Sequence, residues 1–155
     1  MPLPFWHPAT LLATWFGAGK LPVAPGTWGS LAALPFAWGL AWAGGPFLLA
    51  AGAAAVLAAG IWASNRVVAG SGAKDPGEIV IDEVAGQWLA LVVAPLDPLA
   101  YAVGFVFFRI FDIFKPWPAN WIDQNMGGGA GIMLDDIIAG AYAGVALYFT
   151  LPFLL

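Results

Sequence analysis

Acidic side chains are the residues of this sequence that most clearly suggest chemistry, because charge is scarce everywhere else. Only 9% of the 155 residues are charged, nine acids against five bases, and the formal net charge is −4. A cluster of carboxylates in such a chain is suited to binding a hard divalent cation. Oxygen ligands suit Mg²⁺, Ca²⁺ or Mn²⁺ better than zinc or copper. Five of the nine acids stand at the edges of apolar segments: Asp82, Glu83, Asp112, Asp135 and Asp136.

Two basic residues accompany these acids. Arg109 precedes Asp112 by three positions, so both side chains lie on one face of a helix, and Lys115 follows Asp112 by three. An arginine and a lysine beside a carboxylate-held metal are suited to holding a phosphoryl group while the metal activates a water molecule. The pattern therefore predicts phosphate chemistry, and a plain Arg109–Asp112 ion pair is the structural alternative.

A loop near the start of the chain, residues 17–30 (GAGKLPVAPGTWGS), offers a second set of anion-binding groups. Its two prolines and four glycines predict a structured loop, and Thr27 and Ser30 are natural N-caps for the next helix. Backbone N–H groups and these two hydroxyls could bind substrate phosphate. The loop is not a Walker motif, because the sequence contains no GxxxxGKS/T.

The amino-acid inventory excludes several other mechanisms. There is no cysteine, so disulfides, thiolate metal sites and cysteine nucleophiles are ruled out. His7 is the single histidine, so chemistry that needs two imidazoles is ruled out as well, and no Asp-x-Asp pair that could form an aspartyl phosphate is present. The sequence also lacks a run of basic residues, so nucleic acid is not an expected partner.

Apolar residues dominate the composition: 61% of the chain is hydrophobic and its mean hydropathy is +0.84. A soluble domain averages about 25% charged residues, so this chain lacks the polar groups needed to cover a water-facing surface. The composition predicts an integral membrane protein, with a very apolar soluble helical oligomer as the alternative. The first residues lack the basic segment of a cleavable signal peptide and are expected to belong to the mature protein.

The apolar segments predict an all-α fold, a compact helical membrane domain that forms one domain over residues 1–155. A short helix at residues 5–16 is too short to span and is expected to lie in the membrane interface. Breaks at residues 44–46 and 95–98 divide the rest into two helical hairpins. The predicted arms are residues 31–43 and 47–63, then 84–94 and 99–111, followed by a C-terminal helix from Ile137 onward.

The two hairpins, if each crosses the membrane and returns, bring the polar segments to one side. All five lysines and arginines then lie on that side, together with every acid except Asp97, and the positive-inside rule makes it cytoplasmic. The five carboxylates would meet at one depth near the inner leaflet. Helix-dipole stabilisation is the structural alternative for four of them, but it does not explain Asp112, which is expected at a helix C-terminus.

Four segments occur in an order that resembles the phosphatidylglycerophosphatase A family. They are KLPVAPGTWGSLAALP (20–35), IVIDEVAGQWLAL (79–91), FRIFDIFKPWP (108–118) and GGAGIMLDDIIAG (128–140), and the likeness extends from about residue 5 to residue 148. The resemblance implies an all-helical bacterial inner-membrane enzyme that needs Mg²⁺ and hydrolyses the terminal phosphomonoester of phosphatidylglycerophosphate. The family's acidic positions fall on the five carboxylates named above, and its basic positions fall on Arg109 and Lys115.

Roles follow for the candidate residues. Four carboxylates are expected to bind the metal directly or through water: Asp82, Asp112, Asp135 and Asp136. Glu83 is either a further metal ligand or the base that accepts a proton from the attacking water. The candidate catalytic residues are Asp82, Glu83, Asp112 and Asp136. The candidate substrate-binding residues are Arg109, Lys115, Thr27 and Ser30. The partner is a membrane phospholipid, and the oligomeric state is left open, a homodimer included.

Two other functions compete with the phosphatase. A transporter or channel for divalent cations or other ions would explain acids near apolar helices, but transporters tend to place charges near the membrane midplane rather than at helix ends. A non-catalytic membrane assembly factor could use the Gly140–Gly144 pair, a GxxxG motif, for close helix contact. Phosphate release from a lipid phosphomonoester, measured with and without Mg²⁺, separates the three.

Overall fold

The computed structural model describes residues 3–73 and 76–155 of the chain, so Lys74 and Asp75 lie outside the described residues. The described residues form six α-helices and one short 3₁₀ helix and contain no β-strand, which confirms the all-α prediction. The α-helices are α1 (Pro8–Ala13), α2 (Pro25–Ser71), α3 (Ile81–Leu91), α4 (Pro98–Phe114), α5 (Ala119–Asn125) and α6 (Gly128–Leu154), and the 3₁₀ helix covers Ala18–Lys20.

The longest helix, α2, consists of two arms separated by a break at Gly45. This residue has φ 70° and ψ −164°, a conformation that glycine adopts at little cost, and Pro46 follows it. Beyond the break the second arm passes alongside the first, because Cδ1 of Leu40 lies 3.0 Å from the position that a Cβ of Gly52 would occupy. The predicted break is confirmed, whereas the second arm continues to Ser71 instead of ending at residue 63.

The central helix is α3, which has only 11 residues and is buried along almost its whole length. It rises about 16 Å at 1.5 Å per residue, too little to cross a hydrocarbon core of about 30 Å. Its main neighbours are α2 and α6, and its contact with α4 is smaller, so the predicted pairing of α3 with α4 is not the dominant packing. Trp88 ties α3 to α2 by donating a hydrogen bond to the carbonyl of Ala33 at 2.9 Å.

Helices α3 and α6 approach each other closely enough for backbone contact. A Cβ added at Gly140 of α6 would overlap the carbonyl oxygen of Gly86 of α3, and a Cβ added at Gly144 would lie 3.6 Å from Ala90. Small residues permit this approach, as they do in membrane helix pairs. Gly140 contacts Gly86 and Gly144 contacts Ala90, so the two helices run parallel. The residues one turn before Gly86 and Gly140 therefore lie at the same end of the crossing.

The last helix begins at Gly128, well before its predicted start at Ile137. The glycines at 127–129 suggested a loop, but in the fold they open a helix that packs against α2. The N–H of Gly129 donates a hydrogen bond to Oδ1 of Asn65 at 2.7 Å, and a Cβ added at Gly129 would overlap the carbonyl of Ile61. These glycines serve a close contact between helices, which the local sequence does not reveal.

Two short helices also differ from the prediction. Helix α1 covers Pro8–Ala13, less than the expected residues 5–16, because the backbone turns at Trp15 and Phe16, whose φ values are 49° and 58°. Helix α5 lies within residues 114–131, a segment predicted as a loop. Helix α1 is the first element of the described chain and α5 connects α4 to α6. Neither is long enough to span a membrane.

Two helices, α2 and α6, are long and apolar enough to cross a membrane by length and composition. Large apolar side chains on them face outward, among them Trp42, Phe47 and Phe153. A soluble monomer rarely exposes contiguous apolar surface on this scale. The structure therefore supports association with a membrane.

Candidate functional site

The five candidate carboxylates converge, although they come from three helices. Asp82 and Glu83 lie in the first turn of α3, and Asp112 lies in the last turn of α4. Asp135 and Asp136 lie in the third turn of α6. None of the five is more than 9% exposed. Carboxylate oxygens of Asp82, Glu83 and Asp136 lie within 4.8 Å of one another, close enough for one metal ion to touch all three.

The parallel crossing of α3 and α6 explains why acids so distant in sequence meet. Asp82 stands four residues before Gly86, and Asp136 stands four residues before Gly140. Four residues make about one helical turn, so the two acids extend from the same end of the crossing. Both helices thus share one pattern, an acid followed at four-residue spacing by two small residues.

Asp135 and Asp136 do not start α6 as predicted, because the helix begins at Gly128. The helix dipole acts mainly within the first turn, so dipole stabilisation does not account for these two acids. Asp82 and Glu83 do occupy the first turn of α3, and Oδ1 of Asp82 accepts a hydrogen bond from the Glu83 N–H at 2.9 Å. Burial of Asp135 and Asp136 therefore needs a partner other than the end of their own helix.

Arg109 joins α4 to α3 at the cluster. Its Nη1 atom lies 3.2 Å from Oε2 of Glu83 and also pairs with the carboxylate of Asp112. The ion pair between Arg109 and Asp112 is thus present, and it belongs to the larger cluster. One guanidinium therefore holds carboxylates from two helices.

Lys115 connects the other half of the cluster. Its Nζ lies 3.1 Å from Oδ2 of Asp135 and 3.7 Å from Oδ1 of Asp112, which brings Asp112 close to the acids of α6. Lys115 occupies the C-cap of α4 with a left-handed backbone, φ 47° and ψ 69°, where the helix ends. Burial lowers the pKa of Lys115, but the charges of Asp136, Asp135 and Asp112 outweigh burial and raise that pKa above its usual value.

The cluster carries an excess of negative charge whenever all of its carboxylates are ionised, because two bases face five acids. Within the described residues, Oδ1 of Asp135 and Oδ2 of Asp136 are buried without a hydrogen-bond partner. Burial raises the pKa of Glu83 well above its usual value, and the neighbouring charges of Asp82 and Asp112 add to the increase. Buried carboxylate oxygens of this kind fit a hard divalent cation such as Mg²⁺.

The cluster lines a pocket of about 280 Å³. Gly26, near the start of α2, forms part of the wall, and a Cβ there would lie 3.1 Å from Nη1 of Arg109 and 3.2 Å from Oε1 of Glu83. Another part of the wall comes from the loop before α3, including Gly77 and Ile79. A glycine at position 26 therefore leaves open space in the pocket beside Arg109 and Glu83.

Thr27 and Ser30 lie in the first turns of α2 and do not line this pocket. Ser30 is fully buried, and its hydroxyl has no hydrogen-bond partner in the part of the chain that the structure describes. The prediction that these residues cap the helix is wrong, because α2 starts at Pro25 and its N-cap residue is Ala24. Their role in substrate binding stays a prediction.

Gly26 and Asn65 support the site but carry little sequence signal of their own. Gly26 keeps the pocket open, and Asn65 fixes the start of α6, which sets the height of Asp135 and Asp136 along that helix. One sequence pattern could have predicted that α3 and α6 meet at the site. In both helices an aspartate is followed, four and eight residues later, by small residues.

Comparison with known proteins places the chain in a family. The family model described as Phosphatidylglycerophosphatase A matches residues 11–151. The Escherichia coli protein named phosphatidylglycerophosphatase A is 42% identical over 149 residues, which cover 93% of this chain and 82% of the relative. The Haemophilus influenzae protein of the same name is 36% identical over 143 residues, which cover 92% of this chain and 88% of the relative.

A third relative, from Bacteroides thetaiotaomicron, carries the provisional name phosphatidylinositol-3-phosphatase. It is 40% identical over 141 residues, which cover 86% of this chain and 87% of that protein. No solved structure matches the chain significantly. The matched residues include all five carboxylates and both bases of the pocket. The chain therefore belongs to the phosphatidylglycerophosphatase A family.

Proposed function

We propose that this protein is a Mg²⁺-dependent phosphatase that hydrolyses the terminal phosphomonoester of phosphatidylglycerophosphate, giving phosphatidylglycerol and inorganic phosphate. The observation that carries the proposal is the convergence of five buried carboxylates and two bases on one pocket. Two relatives named for this activity, at 42% and 36% identity, support it.

The metal would be held first by Asp82, Glu83 and Asp136, because their carboxylate oxygens already lie within 4.8 Å of one another. The two remaining carboxylates stand beside them, both in contact with Lys115, and would contribute directly or through water. Mg²⁺ bound there would neutralise charge on phosphate oxygens and lower the pKa of a coordinated water molecule.

The two bases of the pocket are placed to hold the phosphoryl group. Arg109 presents planar N–H donors that can bind two phosphate oxygens at once, whereas Lys115 supplies a compact positive charge. Both side chains contact carboxylates in the cluster. A bound phosphate must therefore share or replace some of these contacts, and this couples substrate binding to the acidic cluster.

Glu83 has an alternative role to that of metal ligand: if the aspartates of the cluster hold the metal without it, Glu83 accepts a proton from the attacking water. Burial raises its pKa, and a carboxylate with a raised pKa is a stronger base at neutral pH. Contact of Oε2 with Arg109 at 3.2 Å orients the side chain. Its other oxygen, Oε1, lies on the Gly26 side of the pocket, where a substrate group would fit.

The location that best suits this activity is the bacterial inner membrane, crossed more than once, with the pocket at the cytoplasmic face. Helices α2 and α6 are long and apolar enough for spanning segments. The expected positive-inside orientation supports the cytoplasmic face. Arg66 is exposed near the end of α2, and the variant Arg66→Cys tests this orientation. The cysteine is treated with a membrane-impermeant thiol reagent, once in spheroplasts and once in inverted vesicles.

A second substrate has support from the Bacteroides relative, whose name refers to the 3-phosphate of phosphatidylinositol. Both lipids present a phosphomonoester, and the pocket offers the same charged groups to either. An ion transporter is not favoured, because the family is named for a phosphatase.

Phosphate release by the purified protein in detergent micelles tests the proposal. We expect hydrolysis of phosphatidylglycerophosphate in Mg²⁺, no release in EDTA, and recovery when Mg²⁺ is added back. Phosphatidylinositol 3-phosphate is the comparison substrate, and phosphatidylglycerol, a phosphodiester, is the negative control. Equal rates with and without divalent cations would remove the metal from the proposal, and activity on phosphatidylinositol 3-phosphate alone would reassign the substrate.

A further inference from the structure

Exposed apolar side chains flank the carboxylate pocket, where an enzyme that meets its substrate in water would carry polar ones. Ile113 lines the pocket together with the charged residues and is itself 62% exposed. Phe114 and Trp117, which follow it, are 77% and 71% exposed. We call these three residues the apolar rim. The rim is continuous with the pocket, because Ile113 belongs to both.

A second exposed apolar segment leads to another wall of the pocket, the one that contains Gly26. Leu21 and Val23 are exposed on this segment. Its start is fixed beside the loop before α3, because Lys20 and Glu78 form an ion pair at 2.5 Å. Ile113 thus lines the pocket itself, and Leu21 and Val23 precede its Gly26 wall by five and three residues.

The position of the rim along α6 indicates what covers it. From Asp136 to Leu154 the helix rises about 27 Å at 1.5 Å per residue, close to the roughly 30 Å thickness of a bilayer's hydrocarbon core. A membrane span of this length places Asp136 at the boundary between headgroups and acyl chains. Tyr142 lies six residues, about 9 Å, beyond Asp136 on α6, but helical side chains point toward the N-terminal end of their helix, so its ring extends back toward that boundary. Its hydroxyl donates a hydrogen bond to the carbonyl of Trp117 at 2.5 Å, which places Trp117 beside this part of α6.

Tryptophan and tyrosine concentrate at this depth in membrane proteins, because their rings are apolar and their N–H or O–H groups are polar. Trp117 and Tyr142 fit this preference, and Phe114 adds apolar surface beside them. Lys115 stands between Phe114 and Trp117 in sequence but turns its Nζ to Asp135 and Asp112 instead of to the exterior. The exterior of the rim is therefore apolar while its interior is charged.

We propose that the apolar rim, together with Leu21 and Val23, is immersed in the membrane interface, so that a phospholipid enters the pocket from the side. The terminal phosphate reaches Arg109 and Lys115 while the acyl chains remain in the bilayer. Binding of a lipid phosphate by the pocket rests on the proposed function, but immersion of the rim does not.

Immersion can be tested with single cysteines, because the sequence contains none. Phe114→Cys reports on the rim, and Ala73→Cys, in the exposed segment after α2, is the matched control. Each variant is labelled with a fluorophore and placed in vesicles of phosphatidylethanolamine and phosphatidylglycerol. We expect lipids spin-labelled near the headgroup to quench the label at 114 severalfold more than the label at 73, and iodide in the water to show the reverse.

Equal quenching of the two labels by iodide would overturn the proposal. Protection of the label at 114 from both quenchers would overturn it as well, because a second copy of the chain or another protein would then cover the rim.

Sideways access can be tested with a lipid phosphomonoester that carries a diazirine in the upper part of one acyl chain. We expect light-induced crosslinks to residues 113–117 or 21–23, reduced by excess unmodified lipid phosphomonoester. The same lipid without its terminal phosphate is the control, and equal crosslinking by both lipids would overturn sideways access. Crosslinking needs binding but no hydrolysis. Specific crosslinks without phosphate release would therefore contradict the proposed function alone, and phosphate release with a water-exposed rim would contradict this inference alone.

Discussion

The two ends of α4 use the same side chain in different ways. At the start of the helix, Asp97 accepts hydrogen bonds from the N–H groups of Leu99 and Ala100 at 2.8 and 3.1 Å and so caps the helix. At the other end, Asp112 is buried and pairs with Arg109 and Lys115. A carboxylate at a helix C-terminus gains nothing from the dipole. The first acid therefore stabilises the fold, and the second depends on what binds in the pocket.

Neutralising the pocket end of α4 should have the largest effect. Asp112→Asn removes the negative charge that Arg109 and Lys115 share, and we expect phosphate release to fall by roughly 10²- to 10³-fold, the scale for loss of one preorganised electrostatic contact. Asp97→Asn is the matched control at the other end and should keep activity within about twofold, because asparagine is an equally good N-cap. Initial rates in Mg²⁺ measure both, and near-normal turnover of Asp112→Asn would contradict its assignment.

Spreading the helix crossing should have the next largest effect. Gly140→Ala places a Cβ against the carbonyl of Gly86 and moves Asp136 away from Asp82. Overpacking of this kind costs about 1–3 kcal/mol, and a displaced cluster should lower kcat/KM by roughly 10- to 100-fold. Gly144→Ala adds the same methyl group at an ordinary contact distance of 3.6 Å and should behave like the unmodified protein. Thermal unfolding and kinetics of the two variants check this, and indistinguishable results would speak against the crossing.

The pocket acids should also give the metal-free protein a distinctive pH dependence. The pKa of Glu83 in the folded protein is raised above its ordinary value of 4.5, so the folded state retains a proton that the unfolded state releases. Stability should therefore fall as pH rises above about 4.5 and level off beyond the folded pKa. Melting temperatures in EDTA between pH 5 and 8 measure the slope, which Glu83→Gln should make smaller and Asp97→Asn should leave unchanged. A melting temperature that increases with pH in EDTA would be the opposite result.

Removing the cap at the start of α4 should have the smallest effect. Asp97→Ala leaves the N–H groups of Leu99 and Ala100 without their acceptor and should lower the free energy of unfolding by about 1 kcal/mol. Activity per folded molecule should not change, because this end of the helix is remote from the pocket. Chemical denaturation measures the free energy of unfolding, and phosphate release measures the activity. A large loss of activity would contradict the view that only the Asp112 end of α4 serves the pocket.

The sequence was sufficient to predict which acids converge on one pocket, because charge is rare in this chain and helix ends could be located approximately. It correctly separated Asp112, at a helix C-terminus, from an acid that merely serves the dipole. It misjudged Asp135 and Asp136, since a glycine run hid the true start of α6. Their burial inside the helix in fact strengthens the case for a bound cation.

The rest of the site depends on contacts between distant helices, which local patterns do not encode. The start of α6 is set by Gly129 packing on Ile61 of α2, and the meeting of α3 with α6 is set by Gly86 and Gly140. The hydroxyl of Thr27 predicts a contact with substrate, whereas the residue that borders the pocket is Gly26, which contributes only space. A glycine that permits close helix contact or leaves space in a pocket has no functional group to mark it in the sequence. Its role is recognised only from the packing in the structure.

Main-chain contact between α3 and α6 also bears on how the protein responds to membranes of different thickness. Long lipid-facing helices tilt when the bilayer thins or thickens. The short helix α3 is buried along almost its whole length and is in backbone contact with α6 where Gly86 meets Gly140, so the two helices should move as one body. Adaptation to a new lipid environment can then occur in the outward-facing residues, while the distance between the acids on the two helices stays constant.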